Sequence, residues 1–130
     1  IQNSKGDYIQ FLDADDLLLP QKIQSHVTFL EENQSVGSVY SHALSDDSDN
    51  MHLTYDWPRK NMYRSGLIVN TMLDLGYILI HMPLFRSKWV MKIGGFDEEI
   101  KNCEDWDFML RINSTEMNMQ YLDNGAQVCL

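Results

Sequence analysis

Basic residues are scarce in this chain. Ten lysines and arginines stand against 19 aspartates and glutamates, a formal net charge of −9 over 130 residues. No cluster of Lys and Arg forms anywhere, which argues against nucleic acid or an anionic membrane surface as partner. An acidic protein that handles an anionic substrate needs a cation between the two. Cysteine is rarer still: Cys103 and Cys129 lie far apart and make no metal-type spacing. They read as reduced thiols in a cytosolic setting. Long apolar runs are also missing, since the most apolar region, 66–85, is broken by Asn70, Asp74 and His81 and is no membrane span. The chain shows neither a signal peptide nor an initiator Met, so the expectation is a piece of something longer.

What is present suffices for a core. Hydrophobic residues make up 44% and aromatics 11%, enough for one domain or part of a larger one, and the polar tracts are too short for a disordered protein. Residues 8–12 read as a strand buried on both faces, the kind found inside a parallel sheet. Pro20 suits a first helical position and opens a helix to about Asn33, with Ile23, Val27 and Leu30 as its apolar stripe. Residues 36–41 form a second strand, and strand, helix, strand is an α/β order. A polar loop is expected over 45–50, irregular chain over 55–64 and a short helix over 66–75. Residues 78–85 read as a strand that Pro83 places partly at an edge. A short helix over 87–93 stops at Gly94-Gly95. Asn102 is expected to cap a helix to about Asn113, with Trp106, Met109 and Leu110 on its buried side. Strands over 119–122 and 126–130 flank a turn at Asn124-Gly125.

The stretch "GDYIQFLDADD", 6–16, sets the chemical question: an apolar strand ends in Asp13, Asp15 and Asp16. Asp-x-Asp occurs three times, at Asp13-Ala14-Asp15, Asp47-Ser48-Asp49 and Asp105-Trp106-Asp107, and context separates the three. The second lies in a polar loop and reads as solvated surface. The first closes a buried strand, where open α/β sheets bind their ligands. Turn formation explains one of its carboxylates; a hard cation explains the group, because Mg²⁺ or Mn²⁺ takes one or two carboxylates together with phosphate oxygens. An EF-hand loop counted from Asp13 would need Gly and Glu where Leu18 and Gln24 stand. A haloacid-type phosphatase fits poorly, since Asp16-Leu17-Leu18 replaces its Gly-Thr-like turn.

The second informative stretch is "GGFDEEIKNCEDWDFMLRI", 94–112. Glu104 and Asp105 suit the first turn of a helix, where the macrodipole favours anions, and Asn102 with Asp105 resembles a cap. The functional alternative is a carboxylate held at a helix start, facing a cleft as general base.

Taken together, "GDYIQFLDADDLLLPQKI" and the later "FRSKWVMKIGGFDEEIKNCEDWDFMLRI" resemble a family 2 glycosyltransferase, in order and in spacing, with "PLFRS" between them. The resemblance runs from Gly6 to about Leu130. It implies a GT-A fold, an α/β Rossmann-like mixed sheet flanked by helices, and here a single partial domain over 1–130. It implies inverting transfer from a nucleotide-diphosphate sugar to an acceptor hydroxyl, with Mg²⁺ or Mn²⁺ as cofactor. By position, Asp15 is the main metal ligand, Asp13 contacts the nucleotide and helps at the metal, Asp105 is the catalytic base, and Glu104 positions the acceptor. His81 falls in a region that often lines the acceptor side, although an ordinary cleft or core histidine is the commoner case. Asp107 receives no role, and Trp106 reads as core. Polysaccharide biosynthesis and a cytoplasmic location, at the inner membrane face in the full-length parent, also follow from the family.

The chain departs from the family pattern at both ends. The leading V-S-V-I-I-P-x-Y-N-type strand and its βα units are absent, as are a later Arg and His, the His often completing the metal site. The expectations are an inactive fragment and an open sheet edge that invites self-association. Two other readings stay open: an Mg²⁺-dependent phosphohydrolase with Asp13 as nucleophile, and a non-catalytic carbohydrate- or partner-binding module.

Overall fold

The computed structural model describes residues 1–45, 55–57, 65–66, 78–123 and 128–129. Its strands in chain order are β1 (Tyr8–Gln10), β2 (Leu17–Leu18), β3 (Ser38–Tyr40), β4 (Ala43–Ser45), β5 (Tyr55–Trp57), β6 (Pro83–Arg86), β7 (Met119–Tyr121) and β8 (Val128–Cys129). Three helices accompany them: α1 (Lys22–Glu32), α2 (Ser87–Lys92) and α3 (Glu104–Asn113). The main sheet has the order β1-β6-β3-β7. β6 runs antiparallel to both β1 and β3, whereas β3 and β7 are parallel. A second sheet has the order β2-β8-β4-β5, with only β4 and β8 parallel. No described helix is long and apolar enough to cross a membrane.

Alternation along the two inner strands divides the core between the faces of the main sheet. Val39 and Leu84 pack with Leu30 and Val36 on the α1 side. Tyr40 and Phe85 pack with Val90, Phe108, Met109 and Ile112 on the side of α2 and α3. Arg86 ties β6 to the end of α1, its guanidinium donating to the carbonyls of Val36 and Leu30.

Several expectations are corrected. The first strand pairs only over Tyr8–Gln10, antiparallel to β6, and ends the sheet order rather than lying inside a parallel sheet. Phe11 and Leu12 leave the ladder, and Leu12 is 45% exposed. Pro83 is not at an edge: β6 is an interior strand, and Pro83 is its first residue, where a missing N–H disturbs the ladder least. Residues 55–57 pair with β4 instead of being irregular. Gly66 bridges to Met119; the rest of the expected 66–75 helix, the 46–50 part of the polar loop and the Asn124-Gly125 turn lie outside the described residues. Asn102 does not cap α3; Cys103 holds that position with φ 58°, in the left-handed region. Of its expected buried side, Met109 is buried and Trp106 and Leu110 are half-buried, while Phe108 and Ile112 complete the face.

The buried stripe of α1 is also not the expected one. Lys22, His26 and Leu30 face the core, whereas Ile23 is 41% exposed. Lys22 Nζ donates to the Met82 carbonyl and lies 2.9 Å from His26 Nδ1. His26 Nε2 lies 2.8 Å from Ser41 Oγ, which donates to the Leu122 carbonyl at 3.0 Å. With Nδ1 accepting, the ring proton sits on Nε2, so the chain of donors runs one way from Lys22 to Leu122. Burial pushes the Lys22 amine down from 10.5 to about 7, and burial with Lys22 nearby pushes His26 to about 3. A neutral lysine has two N–H groups, which matches its two acceptors.

Four phenylalanines hold the α3 side together. Phe11 meets Phe85, Phe96 and Phe108 edge-on at centroid distances of 6.1, 5.3 and 5.3 Å, and Phe96 stacks on Phe108 at 4.8 Å. Phe108 is fully buried. Phe108→Ala is expected to lower the unfolding free energy by roughly 3–5 kcal/mol, read from urea denaturation. A second expectation concerns pH. Between about 7 and 10.5 the unfolded state keeps the Lys22 proton that the folded state has lost. Stability therefore rises with pH across that window, by up to about 1.4 kcal/mol per pH unit, and Lys22→Met removes this rise. Urea midpoints of the two chains across the window check it.

Candidate active site

The acids after β1 are arranged by a turn. The Asp16 N–H donates to the Asp13 carbonyl at 3.3 Å, with Ala14 and Asp15 as central residues. Such a turn brings its first and fourth residues together and leaves the central ones outside. Asp13 and Asp16 therefore converge with His81, and one donor atom from each lies within 4.8 Å of the others. His81 Nδ1 is 2.9 Å from Asp16 Oδ2 and 3.8 Å from Asp13 Oδ2. The side chains of His81 and Asp16 are each 9% exposed, that of Asp13 64%. Asp16 Oδ2 and both His81 ring nitrogens are buried without an aligned hydrogen bond. Burial raises the Asp16 carboxyl above its ordinary value; His81 opposes that rise, and Asp13 and Asp15 add to it.

The second acidic motif starts α3. Cys103 turns the chain through a left-handed residue, and its carbonyl takes the first helical bond, from Asp107 N–H at 3.0 Å. Glu104 and Asp105 thereby occupy the first turn, among the unpaired N–H groups of the helix start. Asp105 Oδ1 accepts the Trp106 N–H at 2.8 Å. Asp107 is paired with Arg111 at 2.6 Å, and Arg111 also donates to the Ile93 carbonyl. These bonds give Asp107 a structural task.

A cavity of about 600 Å³ joins the two motifs. Its acidic lining is Asp13, Glu104 and Asp105, and its apolar wall is Phe11, Leu12, Ile80 and Phe96. Asp13 and Asp105 thus face one hollow, and His81 adjoins it through Ile80. Asp15 is exposed and outside the Asp13, Asp16 and His81 group. That Asp16 rather than Asp15 joins Asp13 was not legible, because periodicity does not reveal a turn in which the fourth residue folds back. Its immediate sequence position beside the Asp-x-Asp pair was the available signal. The Asp47-Ser48-Asp49 motif lies outside the described residues.

Comparison with known proteins decides the family. The model of glycosyl transferase family 2 matches residues 1–94. This chain belongs to glycosyl transferase family 2. A glycosyltransferase of Rickettsia typhi is 30% identical over 129 residues, which cover 94% of this chain and 40% of the relative. One from Haemophilus influenzae is 29% identical over 115 residues, 85% of this chain and 37% of the relative. Chondroitin synthase of Escherichia coli is 26% identical over 84% of this chain and 15% of its own length. Among solved structures, S. aureus TarS residues 1–349 in complex with UDP superposes with a TM-score of 0.76 at 15% identity. That match covers 99% of this chain and 37% of TarS 1–349, and the fold is accordingly GT-A. The chain spans about two fifths of the bacterial glycosyltransferases it matches.

Within the family match lie Asp13, Asp15, Asp16 and His81; Glu104 and Asp105 follow it in sequence. The donor set suits a divalent cation. Two carboxylates accept Mg²⁺ or Mn²⁺, and the imidazole shifts the balance toward the transition metal. The buried, unaligned Nδ1 of His81, which faces both carboxylates, is the nitrogen such a cation would satisfy. A phosphohydrolase built on Asp13 needs a lysine nearby; among the described residues Lys22 is engaged with Met82 and His26. In the metal-free chain, ionised Asp16 opposes folding, because its folded-state pKa is raised. Asp16→Asn is expected to raise the urea midpoint near neutral pH. The gain should vanish below the ordinary value of 3.8, where the carboxyl is neutral in both states.

Proposed function

We propose that the full-length protein transfers a sugar from a nucleotide-diphosphate donor to an acceptor hydroxyl with inversion at the anomeric carbon. The observation that carries this reading is the single cavity shared by Asp13, Glu104 and Asp105. Asp13, Asp16 and His81 would hold Mn²⁺ or Mg²⁺, with the exposed Asp15 in the same turn. When bound, the cation neutralises charge that develops on the departing diphosphate. Asp13 also meets the nucleotide. Asp105 takes the proton of the acceptor hydroxyl as its oxygen attacks from the face opposite the diphosphate. Glu104 orients that hydroxyl, and the wall of Phe11, Ile80 and Phe96 receives the apolar face of a sugar ring. The structures of TarS with UDP and with UDP-GlcNAc support a uridine nucleotide donor, and the chondroitin synthase relatives support polysaccharide synthesis. The 130 residues alone are expected to be inactive, and the outer edge of β1 to pair with a further strand of the longer protein or with a second copy.

In the full-length protein, Asp105→Asn is expected to lower transfer by roughly 10²–10⁴-fold while leaving Mn²⁺-dependent binding of UDP or GDP near wild type. Product formation and calorimetric titration check the two halves. Unchanged turnover would refute Asp105 as the base. Absence of Mn²⁺-dependent nucleotide binding would remove the donor assignment, and phosphate release from a simple ester would favour a phosphohydrolase instead.

A further inference from the structure

We infer that Lys22 and Gln10 are positioning residues for His81, holding its turn so that the imidazole faces Asp13 and Asp16; the inference rests on reading those three side chains as a metal centre. His81 is the third residue of a turn closed by the Met82 N–H on the Leu79 carbonyl at 3.0 Å. That bond alone leaves the carbonyls of His81 and Met82 to be fixed by something else. Each is held by a side chain from a different element. Gln10 Nε2, on β1, donates to the His81 carbonyl at 2.8 Å and to the Phe11 carbonyl at 2.7 Å. Lys22 Nζ, at the start of α1, donates to the Met82 carbonyl. Rotation of the His81–Met82 peptide, which would swing the imidazole away from the carboxylates, breaks the Gln10 bond, and displacement of the next peptide, which anchors the turn's end, breaks the Lys22 bond.

Lys22 sits where an apolar side chain would fill the space at lower cost, since it is fully buried with no carboxylate among its hydrogen-bond partners. Its nitrogen lies between the turn and the His26 and Ser41 chain, which is anchored on the Leu122 carbonyl. The turn is thereby braced against β7's exit on one side and β1's exit on the other. Gln10 bridges the His81 carbonyl to Phe11, two residues before Asp13, so the same side chain ties the imidazole's peptide to the strand end that carries the acids. Side chains behind a metal ligand set its orientation, and their loss typically weakens metal binding 10–100-fold.

The test uses the full-length protein with Mn²⁺ alone as probe, bound metal being read from loss of the free-ion paramagnetic resonance signal. Wild type is expected to bind, and His81→Ala to bind more weakly. Lys22→Met and Gln10→Leu should each weaken binding by roughly 10–100-fold with circular dichroism and cooperative unfolding retained. Neither should weaken it further in the His81→Ala background, because both act through that imidazole; a residue that merely stabilised the fold would shift the unfolding midpoint and leave Mn²⁺ affinity alone. If Lys22→Met does not fold, Gln10→Leu on the half-buried strand decides. Wild-type Mn²⁺ affinity in the folded variants overturns the inference, as do losses that add to that of His81→Ala. Binding by wild type that His81→Ala leaves unchanged, or no binding at all, instead sinks the metal-centre reading and the inference with it.

Discussion

The geometry of the site depends on a contact between rings. Phe11 lies two residues before Asp13, and Phe108 lies three residues after Asp105, close to one helical turn. Their edge-on contact at 5.3 Å, with Phe96 stacked on Phe108 and Phe85 beneath, fixes the end of β1 against the start of α3. Each aromatic pair contributes about 0.5–1.5 kcal/mol beyond its buried area. The larger effect is rigidity: close-packed rings allow little relative sliding. Two acids more than ninety positions apart in sequence therefore face one cavity without being bonded to each other.

Electrostatics then defines what the cavity accepts. No residue lining it is basic, and three of its side chains are carboxylates. Among the described residues, Arg111 is engaged with Asp107 and the Ile93 carbonyl, and the Lys22 amine with Met82 and His26. Asp16 is held above its ordinary pKa, chiefly by burial. A cavity with this lining repels anions, in keeping with the net charge of −9. The imidazole of His81, buried beside Asp16, would offer a ring nitrogen to a cation without adding a further negative charge.

Much of the architecture was legible because it follows from local rules. Gly94 and Gly95 stop α2 with φ of 78° and 79°, the region that glycine favours. The α/β order and the presence of the helices α1, α2 and α3 followed from apolar spacing and from helix-stopping residues, although the expected caps and the stripe of α1 differ. The errors share one cause. Strand direction, edge against interior position, and the face a helix buries are set by partners distant in the chain. Pro83 looked like an edge residue because proline lacks a donor, yet β6 is central and begins at that proline. Ile23 belongs to the expected stripe by hydropathy, yet α1 turns Lys22 and His26 inward beside Leu30, where Met82 and Ser41 supply acceptors.

Sequence by itself determined the family resemblance and the two acidic motifs, because carboxylates at a strand end and at a helix start are local statements that survive without coordinates. It also determined the charge balance, nine more acids than bases. Only the tertiary structure decided which acids meet. The turn from Asp13 to Asp16 brings its end residues together, leaves Asp15 outside, and places the pair against an imidazole 65 positions beyond Asp16. Contacts of that range cost chain entropy that no short window reveals, and they form here because Gln10, Lys22 and the phenylalanine cluster hold the separate pieces in register.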